Sequence, residues 1–190
     1  MEHGQAGIPA DSGVERATFL ASMAAFPTGV TVVTTAGEDG KPYGLTCNAF
    51  VSVSADPPLL LVSVDERSNT LPELQRTRRF VVNFLAAGRG ELAKTFASKS
   101  AYKFREIAWT REAGLPVLHQ DSIAHVVCEL VEEIPAGDHV LLIGRVHEAK
   151  PGPHRAVPLL YFRRTFDQWP VYEPGDEDPI WGLDAAHPPW

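Results

Sequence analysis

Alternation of polar and apolar residues over residues 45–54 constrains the fold of this chain more than any other feature. Odd positions carry Leu, Cys, Ala, Val and Val, whereas even positions carry Thr, Asn, Phe, Ser and Ser. A period of two is typical of a β-strand, because successive side chains point to opposite faces. We therefore predict one continuous strand here, ended by Pro57 and Pro58, which cannot donate to a ladder.

The polar face of this predicted strand carries no charge. It offers small hydroxyls, one amide and one aromatic ring. Such a face suits a large, planar, largely uncharged ligand, whose ring would rest on small side chains while its polar edge takes hydrogen bonds. A barrel interface or a buried polar seam explains the same residues, and the pattern alone leaves both interpretations open.

Further strand patterns occur in "GVTVVTT", "LLLVSV", "RFVVNFL", "IAHVVCELVEEI", "HVLLIGRVHEAK" and "PLLYF". The turn signals Asp39-Gly40 and "PAGD" predict two hairpins. Six or seven strands with hairpin turns favour an antiparallel barrel over a doubly wound sheet. The predicted fold is therefore mainly β, with a few short helices.

Three segments predict those helices. "VERATFLASMAAF" has apolar residues at helical spacing, with Asp11 or Ser12 as a candidate cap. "DERSNTLPELQRT" is a loop entering a helix, in which Thr70 and Glu73 fit a capping box. "GELAKTFAS" is the third predicted helix. A linker of mixed character follows it, from about Lys99 to Gln120.

Composition and charge exclude several classes of protein. Lys and Arg number 17 against 24 Asp and Glu, and this net charge of -7 argues against a nucleic-acid binder. No apolar run approaches the ~20 residues that span a bilayer, so we expect no membrane partner. The N-terminus lacks a signal-peptide pattern, and Cys47 and Cys128 suit buried thiols in a reducing cytoplasm, where we place the protein.

Several catalytic motifs are absent from the sequence. No GxGxxG follows a strand, and there is neither a Walker A loop nor a GxSxG elbow. His119 and His125, or His139 and His147, could approach each other, but no short metal-ligand spacing occurs. We therefore predict no metal site.

The chain divides into three parts. Residues 1–14 form a flexible N-terminus, residues 15–166 form one domain, and residues 167–190 form a Pro-rich, acidic tail. The tail holds three of the four tryptophans, and that much aromatic area favours docking on the surface of this chain or of a partner. A disordered tail is the alternative.

Seven segments resemble one known family when taken together, in order and spacing, over roughly Phe19 to Phe166. They are "FPTGVTVVTT", "GLTCNAFVSVSADPPLLLVSV", "DERSNT", "RFVVNFL", "LAKTFAS", "GDHVLLIGRV" and "PLLYFRRTF". The chain is similar to the flavin reductase family, the NAD(P)H:flavin oxidoreductase components of two-component monooxygenases. The resemblance implies an FMN-binding split β-barrel with a Greek-key core, usually a homodimer, that uses FMN or FAD and NADH or NADPH.

The function implied by the resemblance is flavin reduction. Hydride would pass from nicotinamide C4 to flavin N5, so no acid, base or nucleophile of the protein is required. Reduced flavin would then diffuse to a separate monooxygenase. Two alternatives stay open: a split-barrel flavoprotein that keeps FMN and acts on another substrate, and a non-catalytic flavin-binding protein.

The resemblance also implies a set of flavin contacts. Pro27 and Thr28 match a turn that contacts the ring, and Phe96 and Lys103 fall near the flavin, although Lys103 could equally be an exposed lysine. The residues that match the family's flavin-contacting strand are Thr46, Asn48, Ala49, Ser52, Val53 and Ser54. The residues that match its phosphate-binding turn are Ser68, Asn69 and Thr70. Small hydroxyls and free amides at a helix start suit an anion, but a helix cap also explains the last three.

"GDH" at residues 137–139 matches a family motif tied to the nicotinamide nucleotide. A hairpin turn accounts for Gly137 and Asp138, whereas the His139 imidazole could hydrogen-bond a carboxamide or phosphate. The family often carries a tyrosine where this chain has Phe166, so Tyr161 is our candidate for a further nicotinamide contact.

Overall fold

A computed structural model describes residues 13–153 and 156–168 of the chain. The helices are α1 (Arg16–Ala24), α2 (Leu71–Thr77) and α3 (Gly90–Ala97). The strands are β1 (Thr28–Gly29), β2 (Thr31–Ala36), β3 (Pro42–Cys47), β4 (Phe50–Ala55), β5 (Pro58–Asp65), β6 (Arg79–Leu85), β7 (Thr110–Glu112), β8 (Leu115–Val117), β9 (Ser122–Ala136), β10 (His139–Lys150), β11 (Leu159–Phe162) and β12 (Thr165–Gln168). None of the helices in these ranges has the length and apolar character needed to cross a membrane.

Seven strands form the main sheet, in the order β3-β2-β6-β9-β10-β5-β4. Every pairing in it is antiparallel, and the smaller sheets β1-β11-β12 and β7-β8 are antiparallel as well. Both predicted hairpins are present, with Gly40 and Gly137 at φ values of 74° and 67° in their turns. Glycine has no Cβ, so it adopts these left-handed conformations at little cost. The mainly β, antiparallel prediction is confirmed.

The prediction of one continuous strand over residues 45–54 is wrong. The segment is split between β3 and β4, and these are the two opposite edges of the main sheet. Asn48 and Ala49 lie between them and belong to neither strand. The period-two pattern cannot reveal this break, because both halves are strands and the chain merely changes its pairing partner from β2 to β5.

Within β4 the alternation is interrupted a second time. Ser52 pairs with Leu60 and Ser54 pairs with Leu59, so Val53 is the extra residue of a β-bulge. Val51 and Val53 have half of their surface exposed, and they do not form the buried face that the pattern predicted. An edge strand with apolar side chains open to solvent is available for a contact beyond this chain.

The predicted capping box at the start of α2 is also wrong. The Thr70 hydroxyl donates to the Gly44 carbonyl oxygen at 3.0 Å, and the Glu73 carboxylate accepts from Arg76 at 2.8 Å. Thr70 thus joins the start of α2 to β3. For α1 the N-cap residue is Glu15, and the candidate caps Asp11 and Ser12 lie outside the described residues.

Two short elements were not predicted. The supposed linker over residues 99–120 contains the hairpin β7–β8, which turns at Ala113 and Gly114, both with positive φ. β12 extends to Gln168, two residues beyond Phe166, the predicted end of the domain. Strands of three or four residues are too short for an alternating pattern to stand out.

Both cysteines are buried and free, as predicted. Burial disfavours the thiolate, and it raises the pKa of Cys47 to about 11 and that of Cys128 to about 12. Each thiol therefore packs as a small apolar group in the core between β-strands.

Candidate functional site

A cleft of about 360 Å³ opens where β3 ends, and we call it the polar cleft. Its walls come from the end of β3, the turn after β5, the C-terminal end of α3 with the loop that follows it, and the start of β10. Eight of the residues named from the sequence line it: Thr46, Asn48, Ala49, Ser68, Asn69, Phe96, Lys103 and His139.

A second cleft of about 400 Å³ adjoins the first, and we call it the apolar cleft. Pro27 and Thr28 line it together with Phe50 and Phe84. Asn48 lines both clefts, and its side-chain nitrogen donates to the Thr28 hydroxyl oxygen at 3.4 Å. The predicted ring-contacting turn therefore lines the apolar cleft, the predicted phosphate turn lines the polar cleft, and the two clefts share Asn48.

Five of the named residues line neither of the two clefts. Ser52, Val53 and Ser54 lie on the edge strand β4. Thr70 is almost fully buried behind the polar cleft. Tyr161 lies opposite Thr28 in the β1–β11 pairing, and its ring packs on Phe166 with centroids 5.2 Å apart. Their predicted contacts with flavin or nicotinamide remain predictions.

Lys103 is half-buried in the wall of the polar cleft. Its ammonium donates to the Gly44 carbonyl oxygen at 3.0 Å and to the Phe96 carbonyl oxygen at 2.9 Å. Burial lowers the pKa of Lys103 from its ordinary value. An ammonium has three N–H donors, so one donor remains for an anion in the cleft.

The turn after β5 holds a second cation at the polar cleft. The Arg67 guanidinium donates to both carboxylate oxygens of Asp65, at 3.0 and 2.8 Å, and the Arg67 backbone N–H donates to the same carboxylate at 2.7 Å. These bonds hold the pKa of Asp65 well below its usual range. The turn is tightened further by a hydrogen bond from the Thr70 backbone N–H to the Ser68 hydroxyl oxygen at 3.2 Å.

Sequence reasoning missed Arg67 and Lys99 as cleft residues. Arg67 stands inside the quoted motif "DERSNT", and its position one residue before the predicted phosphate turn was the available signal. Asp65 also lines the polar cleft and is paired with Arg67. With Lys99 and Lys103 added, the lining still carries a net positive charge in a protein of net negative charge. A local concentration of positive charge beside small hydroxyls is suited to a phosphate group.

His139 is the first residue of β10 and lines the polar cleft. Its Nδ1 lies 2.7 Å from Asp138 Oδ1, and this hydrogen bond lowers the pKa of Asp138. A carboxylate can only accept, so Nδ1–H is the donor and Nε2 is the ring nitrogen left for a ligand. The Glu66 backbone N–H donates to the Asp138 carbonyl oxygen at 3.1 Å, which fixes the hairpin against the phosphate turn.

Comparison with known proteins extends this description. Residues 23–170 match the family model described as "Flavin reductase like domain". Flavin reductase (NADH) of Kitasatospora aureofaciens is 44% identical over 168 residues, which cover 87% of this chain and 86% of that protein. The reductase component of 4-nitrophenol 4-monooxygenase/4-nitrocatechol 2-monooxygenase of Rhodococcus opacus is 33% identical over 159 residues, 84% of each chain.

A solved structure agrees with the sequence relatives. The NADH:FAD oxidoreductase SgcE6 of Streptomyces globisporus C-1027, in complex with NAD and FAD fragments, matches with a TM-score of 0.76 and 32% identity, over 82% of this chain and 93% of that one. The predicted split-barrel fold, enzyme class and cofactor classes, a flavin and a nicotinamide nucleotide, are confirmed. The chain belongs to the flavin reductase family.

Proposed function

We propose that this protein uses NADH or NADPH to reduce FMN or FAD and releases the reduced flavin to a separate monooxygenase. The observation that carries the proposal is the pair of clefts that share Asn48, one lined by cations and small hydroxyls and the other apolar. A flavin nucleotide has the same two parts, since a phosphate-bearing chain is joined to a planar ring.

The residues present fit such a ligand. Ser68 and Asn69 offer a hydroxyl and an amide, and Arg67 and Lys103 supply positive charge at the polar end. Asn48 and Thr46 stand between the two ends, where a polyhydroxylated ribityl chain needs donors and acceptors. The apolar cleft offers Phe50, Phe84 and other uncharged side chains to a ring.

Bound flavin supplies the hydride-accepting chemistry, so the protein's own task is to bind and to orient. Arg67 and Lys103 hold an anionic group in the polar cleft. His139 lies across the polar cleft from α3, with Nε2 available to a second ligand. Holding two reactants in a fixed relative orientation replaces a bimolecular encounter by a reaction within one complex.

We further propose a homodimer in the cytoplasm that delivers reduced flavin by diffusion. A relative named as a reductase component supports the separate monooxygenase. Phe19, Met23 and Phe26 of the α1 region have more than half of their surface exposed, which supports a second copy covering them. The free thiols Cys47 and Cys128 are consistent with a reducing compartment.

One experiment tests the activity and the cofactor together. Purified protein is examined for a bound flavin spectrum, and oxidation of NADH and NADPH is then followed with FMN, FAD and riboflavin. We expect the protein to oxidise NADH or NADPH continuously when free flavin is added. A tightly bound flavin that is never released would favour the alternative flavoprotein, and the absence of NAD(P)H oxidation with every flavin would contradict the proposal.

Riboflavin tests the assignment of the polar cleft, because it lacks the phosphate. FMN should bind more tightly than riboflavin, and Arg67→Gln should reduce that difference by roughly ten-fold, as expected for one charge-assisted hydrogen bond of about 1.5 kcal/mol. Arg105→Gln, an exposed arginine that contacts Tyr102, is the matched control. An unchanged preference for FMN in Arg67→Gln would place the phosphate elsewhere.

A further inference from the structure

A cluster of three side chains lies apart from both clefts. Glu112 ends β7, His119 follows β8, and His125 belongs to β9. The Nε2 atom of His119 lies 2.9 Å from Glu112 Oε1, and the Nε2 atom of His125 lies 3.0 Å from Glu112 Oε2. One potential ligand atom from each residue lies within 4.8 Å of the other two.

From the sequence we expected that His119 and His125 could approach each other, but Glu112 was not included. Six residues lie between Glu112 and His119, and five lie between His119 and His125. These are not the short ligand spacings found on one helix or in one zinc knuckle. They come together because the β7–β8 hairpin, predicted as a linker from the sequence, places Glu112 beside His125 of β9. Our expectation of no metal site considered spacing along the chain and did not include that hairpin.

The ligand types favour zinc over a hard cation. Two imidazole nitrogens and one carboxylate oxygen form a set that binds Zn²⁺ in tetrahedral sites with a water as fourth ligand, whereas Mg²⁺ and Ca²⁺ require six or more oxygen ligands. The His125 side chain is only 7% exposed, and the two imidazole rings meet edge to face with centroids 5.0 Å apart. The site is therefore partly closed from water and already convergent.

A fourth group competes for the carboxylate. The Lys150 ammonium lies 2.8 Å from Glu112 Oε2, and this bond, followed by the one from His125, lowers the pKa of Glu112 to about 2. The Lys150 side chain is 54% exposed on a long flexible stem, so it can turn into solvent without disturbing the core. A divalent cation that displaces it would occupy a position already surrounded by an ionised carboxylate and two imidazoles.

We propose that Glu112, His119 and His125 form a Zn²⁺ site that fastens the β7–β8 hairpin to β9. The three residues line neither the polar nor the apolar cleft, so the site acts on stability and leaves the flavin chemistry alone. Each histidine would coordinate the metal through a ring nitrogen that carries no proton.

Titration with the metal alone tests this site. Untagged protein is titrated with Zn²⁺ by calorimetry, and with Co²⁺ by visible absorption, in which tetrahedral coordination gives characteristic bands. One equivalent should bind, the melting temperature should rise with Zn²⁺, and Mg²⁺ should have no effect. His119→Asn, at the exposed ligand, should lower the Zn²⁺ affinity by at least about ten-fold, since loss of even an outer-sphere partner costs that much.

Two further variants separate a metal site from a hydrogen-bonded cluster. Lys150→Met removes the competing cation, so Zn²⁺ affinity should increase, whereas a cluster without metal affinity would only be weakened by the change. His147→Asn is the matched control. His147 Nε2 also pairs with a carboxylate, Glu129, at 2.9 Å, but this pair belongs to no potential metal-binding group among the described residues. The proposal is overturned if no stoichiometric Zn²⁺ or Co²⁺ binds, or if His119→Asn binds as the parent does.

Discussion

At the scale of single residues, the polar cleft is built from side chains whose positions are fixed by hydrogen bonds to the backbone. Lys103 is held by two carbonyl oxygens, and Thr70 is held by the same Gly44 carbonyl oxygen that Lys103 contacts. Buried or half-buried polar groups with satisfied partners are rigid, because leaving a partner unmade costs the full desolvation penalty. The cleft therefore exists before any ligand arrives.

His139→Ala tests the nicotinamide assignment. The loss of one hydrogen bond costs about 1 to 2 kcal/mol, roughly ten-fold in apparent affinity. We expect the KM for NADH to rise by that factor, kcat to change little and flavin affinity to stay near that of the parent, measured by steady-state kinetics and flavin titration.

His147→Ala is the control for that variant, since His147 is exposed on the same strand and pairs with Glu129. A collapse of flavin binding in His139→Ala would assign the imidazole to the flavin instead. If neither the KM nor the flavin affinity changes, His139 is only part of the hairpin turn.

At the scale of elements, the long strands with a strong alternating pattern were predicted correctly from the sequence. β9 and β10 run for 15 and 12 residues, and their hairpin turn at Gly137 and Asp138 was recognised from turn chemistry. The edges of the sheet were not predicted, because a pattern of period two records that a residue is in a strand without recording which neighbour the strand pairs with. That is why β3 and β4 looked like one strand.

The candidate site was predicted only in part. The polar cleft gathers residues whose motifs were quoted. Arg67 was missed although it directly precedes the predicted phosphate turn, and Lys99 was missed because solvent-facing lysines are common. The Glu112–His119–His125 cluster was missed for a different reason. It depends on a three-residue pairing of β7 with β8, which carries no readable alternation.

Ser52→Leu tests whether β4 belongs to the flavin site. Ser52 is exposed on the edge strand, so the fold should tolerate the larger side chain, and circular dichroism and thermal melting should match the parent. If flavin lies along β4, the added bulk should weaken flavin binding strongly in a fluorescence titration.

Glu148→Leu, an exposed change to the same side chain on β10, controls for added apolar surface. Parent-like flavin affinity in a folded Ser52→Leu protein would confine the flavin to the two clefts. The predicted contacts at Val53 and Ser54 would then be abandoned together with Ser52.

At the scale of the whole molecule, several large apolar side chains have about half of their surface exposed. Phe19 and Met23 are exposed on α1, and Val51 and Val53 are exposed on β4. We expect the double variant Phe19→Ser, Met23→Ser to convert a dimer to a monomer, because removing apolar contact area at an interface removes the main driving force for association. The molecular mass of the variant in solution is measured by analytical ultracentrifugation or light scattering.

The control for that variant is Tyr102→Ser, which removes an exposed aromatic ring from a loop in which Tyr102 is the only exposed large apolar side chain among the described residues. Tyr102→Ser should keep the parent mass. A double variant that retains the parent mass while remaining folded would show that α1 is not the interface.

The last prediction concerns the tail, whose residues 169–190 lie outside the described part of the chain. The structure improves the design of the experiment, because a cut after Phe166 would remove half of β12, which extends to Gln168 and pairs with β11. A stop after Gln168 leaves that pairing intact and removes three of the four tryptophans. If these rings dock on the surface, the truncated protein should lose stability, flavin affinity or dimer mass, measured by melting temperature, flavin titration and light scattering. A second variant, in which all three tail tryptophans are changed to serine in the full chain, separates the aromatic area from the acidic residues. If truncation leaves all three properties unchanged, the tail does not dock and the predicted role of its aromatic residues is wrong.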